Sequence, residues 1–164
     1  MEQDTLNPVV EQRITDSAHK NAGFLLTQSG VLHHLGFVVK SISTVADEFA
    51  ASLSARWDGE IIHDPIQRVR VAFFAPVDSA NPVYELVEPA SEDSPVTDFL
   101  KKRVGLHHVC YEVNDLDAAL EEARSTGWAI ASPPSPAVAF EGRRIAWIFS
   151  KTRLLMELLE RQPN

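Results

Sequence analysis

Residues 31–39 read Val31-Leu32-His33-His34-Leu35-Gly36-Phe37-Val38-Val39, and residues 105–113 read Gly105-Leu106-His107-His108-Val109-Cys110-Tyr111-Glu112-Val113. Both runs are apolar and rich in β-branched and aromatic side chains, as a mostly buried strand would be. Both carry Leu-His-His near the start, at an offset of 108 − 34 = 74 residues. Further out, Arg70-Val71-Ala72-Phe73 corresponds to Arg144-Ile145-Ala146-Trp147 at the same offset, 144 − 70 = 74. Glu85-Leu86 corresponds to Glu157-Leu158 at 157 − 85 = 72. The chain is an internal duplication whose second half has lost two residues in a turn.

The segments between these anchors repeat in the same order. From Ser41 to Trp57 the apolar residues Ile42, Val45, Phe49 and Leu53 stand three and four apart, which predicts an amphipathic helix capped by Ser41 or Ser43. Strands are expected at 60–63, 68–75 and 83–87, separated by turn residues at Asp64-Pro65 and between Asp78 and Pro82. Ser94-Pro95 predicts a linker helix over 94–102, with serine as N-cap and proline in the first turn, where its missing N–H costs nothing. The second half gives a strand at 106–113 and a helix from the cap Asp115 through Leu116, Ala119, Leu120 and Ala123 to Gly127. Strands follow near 128–131, 143–149 and 154–159. The predicted fold is α+β, two tandem βαβββ modules at about 31–90 and 106–161 within one domain spanning 31–164. Residues 1–30 are polar apart from Ile14, Phe24, Leu25 and Leu26, and are read as an N-terminal extension that could pack on the body as a short helix or edge segment.

With 45% hydrophobic and 23% charged residues among 164, the chain has the composition of an ordinary globular protein with a sizeable core. A net charge of −8 repels the phosphate backbone, so nucleic acid is not an expected partner. The single cysteine, Cys110, has no intrachain disulfide partner and lies in an apolar run, which fits a reducing compartment. The opening Met1-Glu2-Gln3-Asp4 is acidic, and no stretch approaches the ~18 apolar residues of a membrane span. A cytoplasmic protein with no membrane partner is expected.

Duplication places equivalent side chains opposite each other across a central cleft. One histidine from each His-His pair, together with Glu85 and Glu157, would converge there. Because successive side chains on a strand face opposite ways, only one of each pair is expected to look into the cleft, and the other into the layer beneath. Two imidazoles and two carboxylates suit a divalent cation such as Co, Mn, Ni, Zn or Fe with positions left open for substrate. Burying two carboxylates close together without a cation is costly.

Over about residues 31–161 the sequence resembles the vicinal oxygen chelate superfamily, the glyoxalase, bleomycin-resistance and extradiol-dioxygenase group. Within it the resemblance is strongest to the methylmalonyl-CoA epimerases. It is carried by Tyr84-Glu85-Leu86-Val87-Glu88-Pro89, by Glu92-Asp93-Ser94-Pro95-Val96 with Phe99-Leu100-Lys101-Lys102-Arg103, and by Gly105-Leu106-His107-His108-Val109 followed by Glu112-Val113. The resemblance implies a cup-shaped mixed sheet around a metal cleft, with His34, Glu85, His108 and Glu157 as ligands. It also implies stereoinversion at the carbon α to a thioester, free as a CoA ester or on a carrier, through an enolate, with Glu157 as the base. The partner acid or base that some epimerases carry falls on Val71, which transfers no protons, and Glu112, of the same strand parity as His108, is the candidate substitute. Family members commonly pair, so a homodimer is expected. Two loops should border the cleft, Pro133-Pro134-Ser135-Pro136 and the basic turn Ser150-Lys151-Thr152-Arg153, the latter placed to meet a CoA phosphate. The competing functions are a glyoxalase I-type lyase and a non-catalytic, ligand-sequestering protein of the bleomycin-resistance type.

Overall fold

The computed structural model describes residues 29–162. What was expected of residues 1–28 lies outside the described residues. The first half is built from β1 (Val31–Val38), α1 (Ile42–Ser52), β2 (Ala55–Arg56), β3 (Ile62–Asp64), β4 (Val69–Pro76) and β5 (Val83–Pro89). A short helix, α2 (Thr97–Leu100), leads to β6 (Gly105–Val113), α3 (Leu116–Ser125), β7 (Ala129–Pro136), a 3₁₀ turn (Val138–Phe140), β8 (Arg144–Phe149) and β9 (Leu155–Glu160). Among the described residues the nine strands form one mixed sheet in the order β2-β4-β5-β1-β6-β9-β8-β7, with β3 added onto β4. The α+β class is the one the sequence predicts.

The sheet's centre decides the site. Strands β1 and β6 pair antiparallel, while each pairs in parallel with its own half's last strand, β1 with β5 and β6 with β9. The central register sets Gly36 opposite His108 and His34 opposite Cys110, two pairings that exchange under the 74-residue offset. A pseudo-twofold therefore passes between β1 and β6.

Each helix covers the sheet with its own apolar stripe. Leu116, Ala119, Leu120 and Ala123 of α3 are buried against Val113, Ala146, Ile148, Met156 and Leu158, all from the second half. Ile42 and Ala46 of α1 pack with Ala72, Phe74 and Leu86, and Phe49 joins them from the rim. Burying one such leucine or isoleucine side chain stabilises by about 1.5–3 kcal/mol. Asp115 caps α3 as predicted, accepting from the Ala118 N–H at 2.9 Å. Ser41 sits at the N-cap of α1, but its side chain does not cap. The buried Glu88 reaches across from β5 instead, and its Oε2 accepts from the Ile42 N–H at 2.5 Å. Its other oxygen takes the Arg70 Nε–H at 2.5 Å, a pair mirrored in the second half by Arg144 and Glu160 at 2.6 Å.

Two expected elements differ. The linker helix spans one turn, Thr97–Leu100, and starts after Val96. Ser94 is buried with no partner for its Oγ among the described residues. The segment Pro133–Pro136, expected as a loop, is the end of strand β7. Prolines are admissible there because β7 lies at the sheet edge, and its pairing to β8 shifts register between Ile130 and Ser132 and again between Ser132 and Ser135. No described helix is long and apolar enough to cross a membrane.

Candidate metal centre and active-site cavity

Strands β1 and β6 bring His34 and His108 together at the pseudo-twofold, and the flanking strands β5 and β9 bring Glu85 and Glu157 in from opposite sides. All four side chains are buried. The Nε2 atoms of the two histidines stand 3.1 Å apart. Glu85 Oε2 lies 3.3 Å from His34 Nε2 and 3.4 Å from His108 Nε2. Glu157 Oε2 lies 3.2 Å and 3.6 Å from the same two atoms. Two donors each about 2.1 Å from one ion are about 3.0–3.4 Å apart for angles between a right angle and the tetrahedral one. Four of these five separations fall in that span, and His34, His108 and Glu157 place donor atoms within 4.8 Å of one another, so these three suit a divalent cation, with Glu85 beside both histidines.

Without a cation the four groups satisfy one another. Burial pushes both imidazoles down, but the facing carboxylates, joined at His34 by the Cys110 thiol, outweigh it, raising His108 and raising His34 well above the ordinary histidine value. Burial pushes both carboxyls up. The imidazoles outweigh that too, holding Glu85 below and Glu157 far below the ordinary glutamate value. A metal ion would have to displace these protons, so loading is favoured as pH rises.

The cluster forms part of the wall of a cavity of about 530 Å³. Glu85, His108 and Glu157 line it, as do Val69, Val71, Val87, Ile145 and Trp147. Val71 thus stands in the cavity wall. The two loops expected at the cleft are displaced from it. Ala131 and Ser132 of β7 line the cavity, whereas Pro133, Pro134, Lys151 and Arg153 do not. The basic turn closes the β8–β9 hairpin, where Ser150 N–H donates to the Leu154 carbonyl, and Lys151 packs over Gly127 at the end of α3. Among the described residues, the arginine that lines the cavity is Arg68, left-handed at φ 57° and 3.6 Å from Asp93. The sequence offered no signal for it beyond its place in a turn.

Glu112 is not brought to the cluster and does not line the cavity. It sits further along β6, where Arg143 Nη1–H donates to it at 2.6 Å and Arg161 Nε–H at 3.1 Å. Burial raises its pKa, but the two guanidinium groups win and hold the carboxyl below its usual value. A depressed carboxyl adds stability above its unfolded pKa of about 4.3, and that stability is lost as pH falls through the folded value. Glu112→Gln is therefore expected to lower the melting temperature at pH 7 by roughly 2–5 °C, with the gap to the parent chain closing near pH 3. A gap that persists at low pH would mean that the loss comes from packing and not from charge.

The expectation that one histidine of each pair faces the layer beneath is overturned. His107 lines the same cavity as His108, and their Nδ1 atoms lie 3.0 Å apart. In the first half the Nδ1 atoms of His33 and His34 are 2.9 Å apart. The β1–β6 ladder explains it: Leu32 pairs with Tyr111 and His34 with Cys110, leaving His33 as an extra residue, and Gly36 pairs with His108 while Phe37 pairs with Leu106, leaving out His107. Each is a β-bulge, which breaks strand alternation and re-aims a side chain.

The sequence profile of the glyoxalase/bleomycin resistance protein/dioxygenase superfamily matches residues 33–147. The chain belongs to this superfamily. Within the superfamily, it is 29% identical over 124 residues to an ethylmalonyl-CoA/methylmalonyl-CoA epimerase of Cereibacter sphaeroides, covering 74% of this chain and 90% of that one. The crystal structure of methylmalonyl-CoA epimerase from Mycobacterium tuberculosis superposes with a TM-score of 0.65 at 28% identity, over 80% of this chain and 88% of that one. A hypothetical protein from Bacillus halodurans gives a TM-score of 0.71 at 29% identity, over 83% and 97% of the two chains. The homology supports an epimerase-type superfamily member.

Proposed function

We propose that the protein is a metal-dependent epimerase of a 2-methyl-branched or related acyl thioester, carried on CoA or a carrier protein. The observation that carries this reading is the buried His34, Glu85, His108 and Glu157 cluster at the wall of a cavity bounded by apolar side chains. The kinship to the Cereibacter epimerase supplies the substrate class. A divalent cation held by these four residues supplies Lewis-acid stabilisation of the negative charge that develops on a thioester oxygen. Co, Mn, Ni, Zn and Fe all accept such donors.

Glu157 takes the α-proton. Inversion needs a proton delivered to the opposite face. Val71 cannot give one, and Glu112 is engaged by Arg143 and Arg161. Glu85 is the pseudo-twofold mate of Glu157, arrives from the opposite flank of the histidine pair and lines the same cavity, so it takes the second role. The apolar wall formed by Val69, Val87 and Ile145 keeps water from competing for the proton.

The test is α-proton exchange in deuterated water with single-enantiomer methylmalonyl-CoA and ethylmalonyl-CoA. The metal-loaded chain is expected to incorporate deuterium and to racemise the substrate, and chelation should stop both. Glu85→Gln is expected to leave exchange from one enantiomer while slowing inversion about 10²-fold or more. Absence of metal-dependent exchange across a panel of acyl thioesters would overturn the reading in favour of a sequestering protein. Retained exchange in Glu112→Gln would keep that residue out of the proton path.

A further inference from the structure

We propose that His33 and His107 are positioning residues, each accepting the Nδ1–H of the neighbouring metal-ligating histidine and so fixing which nitrogen of that ring is free to bind metal. The inference rests on the metal-centre reading and extends it outward from the four ligands.

With a cation on Nε2, the geometry leaves little choice of tautomer. His34 and His108 present Nε2 to each other and to both carboxylates. A ring that binds a cation through Nε2 offers a lone pair there, and its proton then sits on Nδ1. For His34 the Nδ1 atom is 2.9 Å from His33 Nδ1, and for His108 it is 3.0 Å from His107 Nδ1. His33 and His107 must then be neutral, with Nδ1 as acceptor and the proton on Nε2. The reverse arrangement, with His33 or His107 donating, would put the partner's proton on Nε2, aimed at the other three ligands.

The backbone independently picks out the same two residues. Between Val31 and Val38 the β1–β6 ladder breaks alternation on β1 at His33, and on β6 it does so at His107. Without those bulges adjacent histidines would face opposite sides of the sheet and their rings could not meet. The surroundings also hold the outer rings. His107 is edge-on to Phe99 at 4.8 Å and 6.1 Å from Trp147, and His33 is edge-on to Phe140 at 5.5 Å between ring centres. Cys110 also touches His34 and has no counterpart at His108, where the equivalent position is Gly36. The feature common to both halves is the histidine pair.

The experiment uses the full chain and Co²⁺ as probe. His107→Phe and His33→Phe keep an aromatic ring and remove the acceptor. Each is expected to weaken Co²⁺ binding about 10–100-fold and to alter the visible spectrum of the bound ion. His107→Asn and His33→Asn place an amide oxygen near the lost Nδ1 and are expected to recover most of the affinity. In the Zn²⁺-loaded chain, ¹⁵N chemical shifts should report His34 and His108 bound through Nε2 with the proton on Nδ1, and show loss of that single population for the ring whose neighbour is phenylalanine. If the phenylalanine variants bind Co²⁺ as tightly as the parent with unchanged tautomers, the proposal is wrong. If the parent itself binds no Co²⁺, Mn²⁺, Ni²⁺ or Zn²⁺, the metal-centre reading fails and the proposal falls with it, an outcome distinct from parental affinity in the phenylalanine variants. Should His33→Phe not fold, judged by its melting curve, His107→Phe at the cavity wall carries the test alone.

Discussion

In the His34→Ala chain, metal content is expected to fall from about one ion per chain to less than about a tenth, and α-proton exchange to drop by about three orders of magnitude. His34 Nε2 lies within 3.1–3.3 Å of a donor atom from each of Glu85, His108 and Glu157, the other three proposed ligands. Its removal opens the cluster and leaves Glu85 and Glu157 buried with one imidazole between them. Glu157→Gln separates binding from chemistry. Glutamine keeps an oxygen donor but removes a charge and the proposed base, so metal affinity should fall by about 10–100-fold. Exchange should fall about 10²–10⁴-fold even when the site is saturated. Elemental mass spectrometry and deuterium incorporation measure the two effects. A saturated Glu157→Gln chain that exchanges at the parental rate would remove Glu157 from the base role.

Gly36→Ala is expected to damage the site as severely as loss of a ligand, although Gly36 touches no substrate. A Cβ at this position would stand 1.9 Å from His108 Cε1 and 2.4 Å from both ring nitrogens. Real carbon atoms do not approach so closely, so the ring or the β1 backbone must move. The ring lies over Gly36 because the two residues are paired across the central ladder. Displacing it carries Nε2 away from the cluster and Nδ1 away from His107. The expected outcome is a loss of metal affinity of about 100-fold or more, with destabilisation of about 1–3 kcal/mol from overpacking. Isothermal titration and thermal melting separate the two. An alanine variant with parental affinity would show that the His108 ring has another seat.

Much of this was legible because it is written twice. The recurrence of Leu-His-His, Arg-Val-Ala-Phe and Glu-Leu at nearly constant offset located the strands and paired His34 with His108 and Glu85 with Glu157. Local chemistry also sufficed for α3, whose cap Asp115 and stripe Leu116, Ala119, Leu120 and Ala123 lie within one short segment. What escaped depends on residues far apart in sequence. The cap of α1 comes from Glu88, 46 residues away. The bulges at His33 and His107 exist only in the pairing of two strands some 74 residues apart, so strand alternation misplaced both rings. Gly36 carries a local sign of the crowded centre, since a glycine inside an otherwise bulky strand marks a place where something approaches closely. For Glu112, parity alone could not reveal that Arg143 and Arg161 occupy its carboxylate.

The helix-side clusters of apolar residues are private to each half, one drawn from β1 to β5 and the other from β6 to β9. The donor set is shared, one histidine and one glutamate from each. A cation seated there would act as a clasp between the two halves, added to the β1–β6 ladder and to the cleft-side packing of Phe73 against Phe140 and Ile145. At an ion concentration about a thousand times the dissociation constant, such a clasp is worth about 4 kcal/mol. The stripped chain should thus lose that increment at the seam between its two copies.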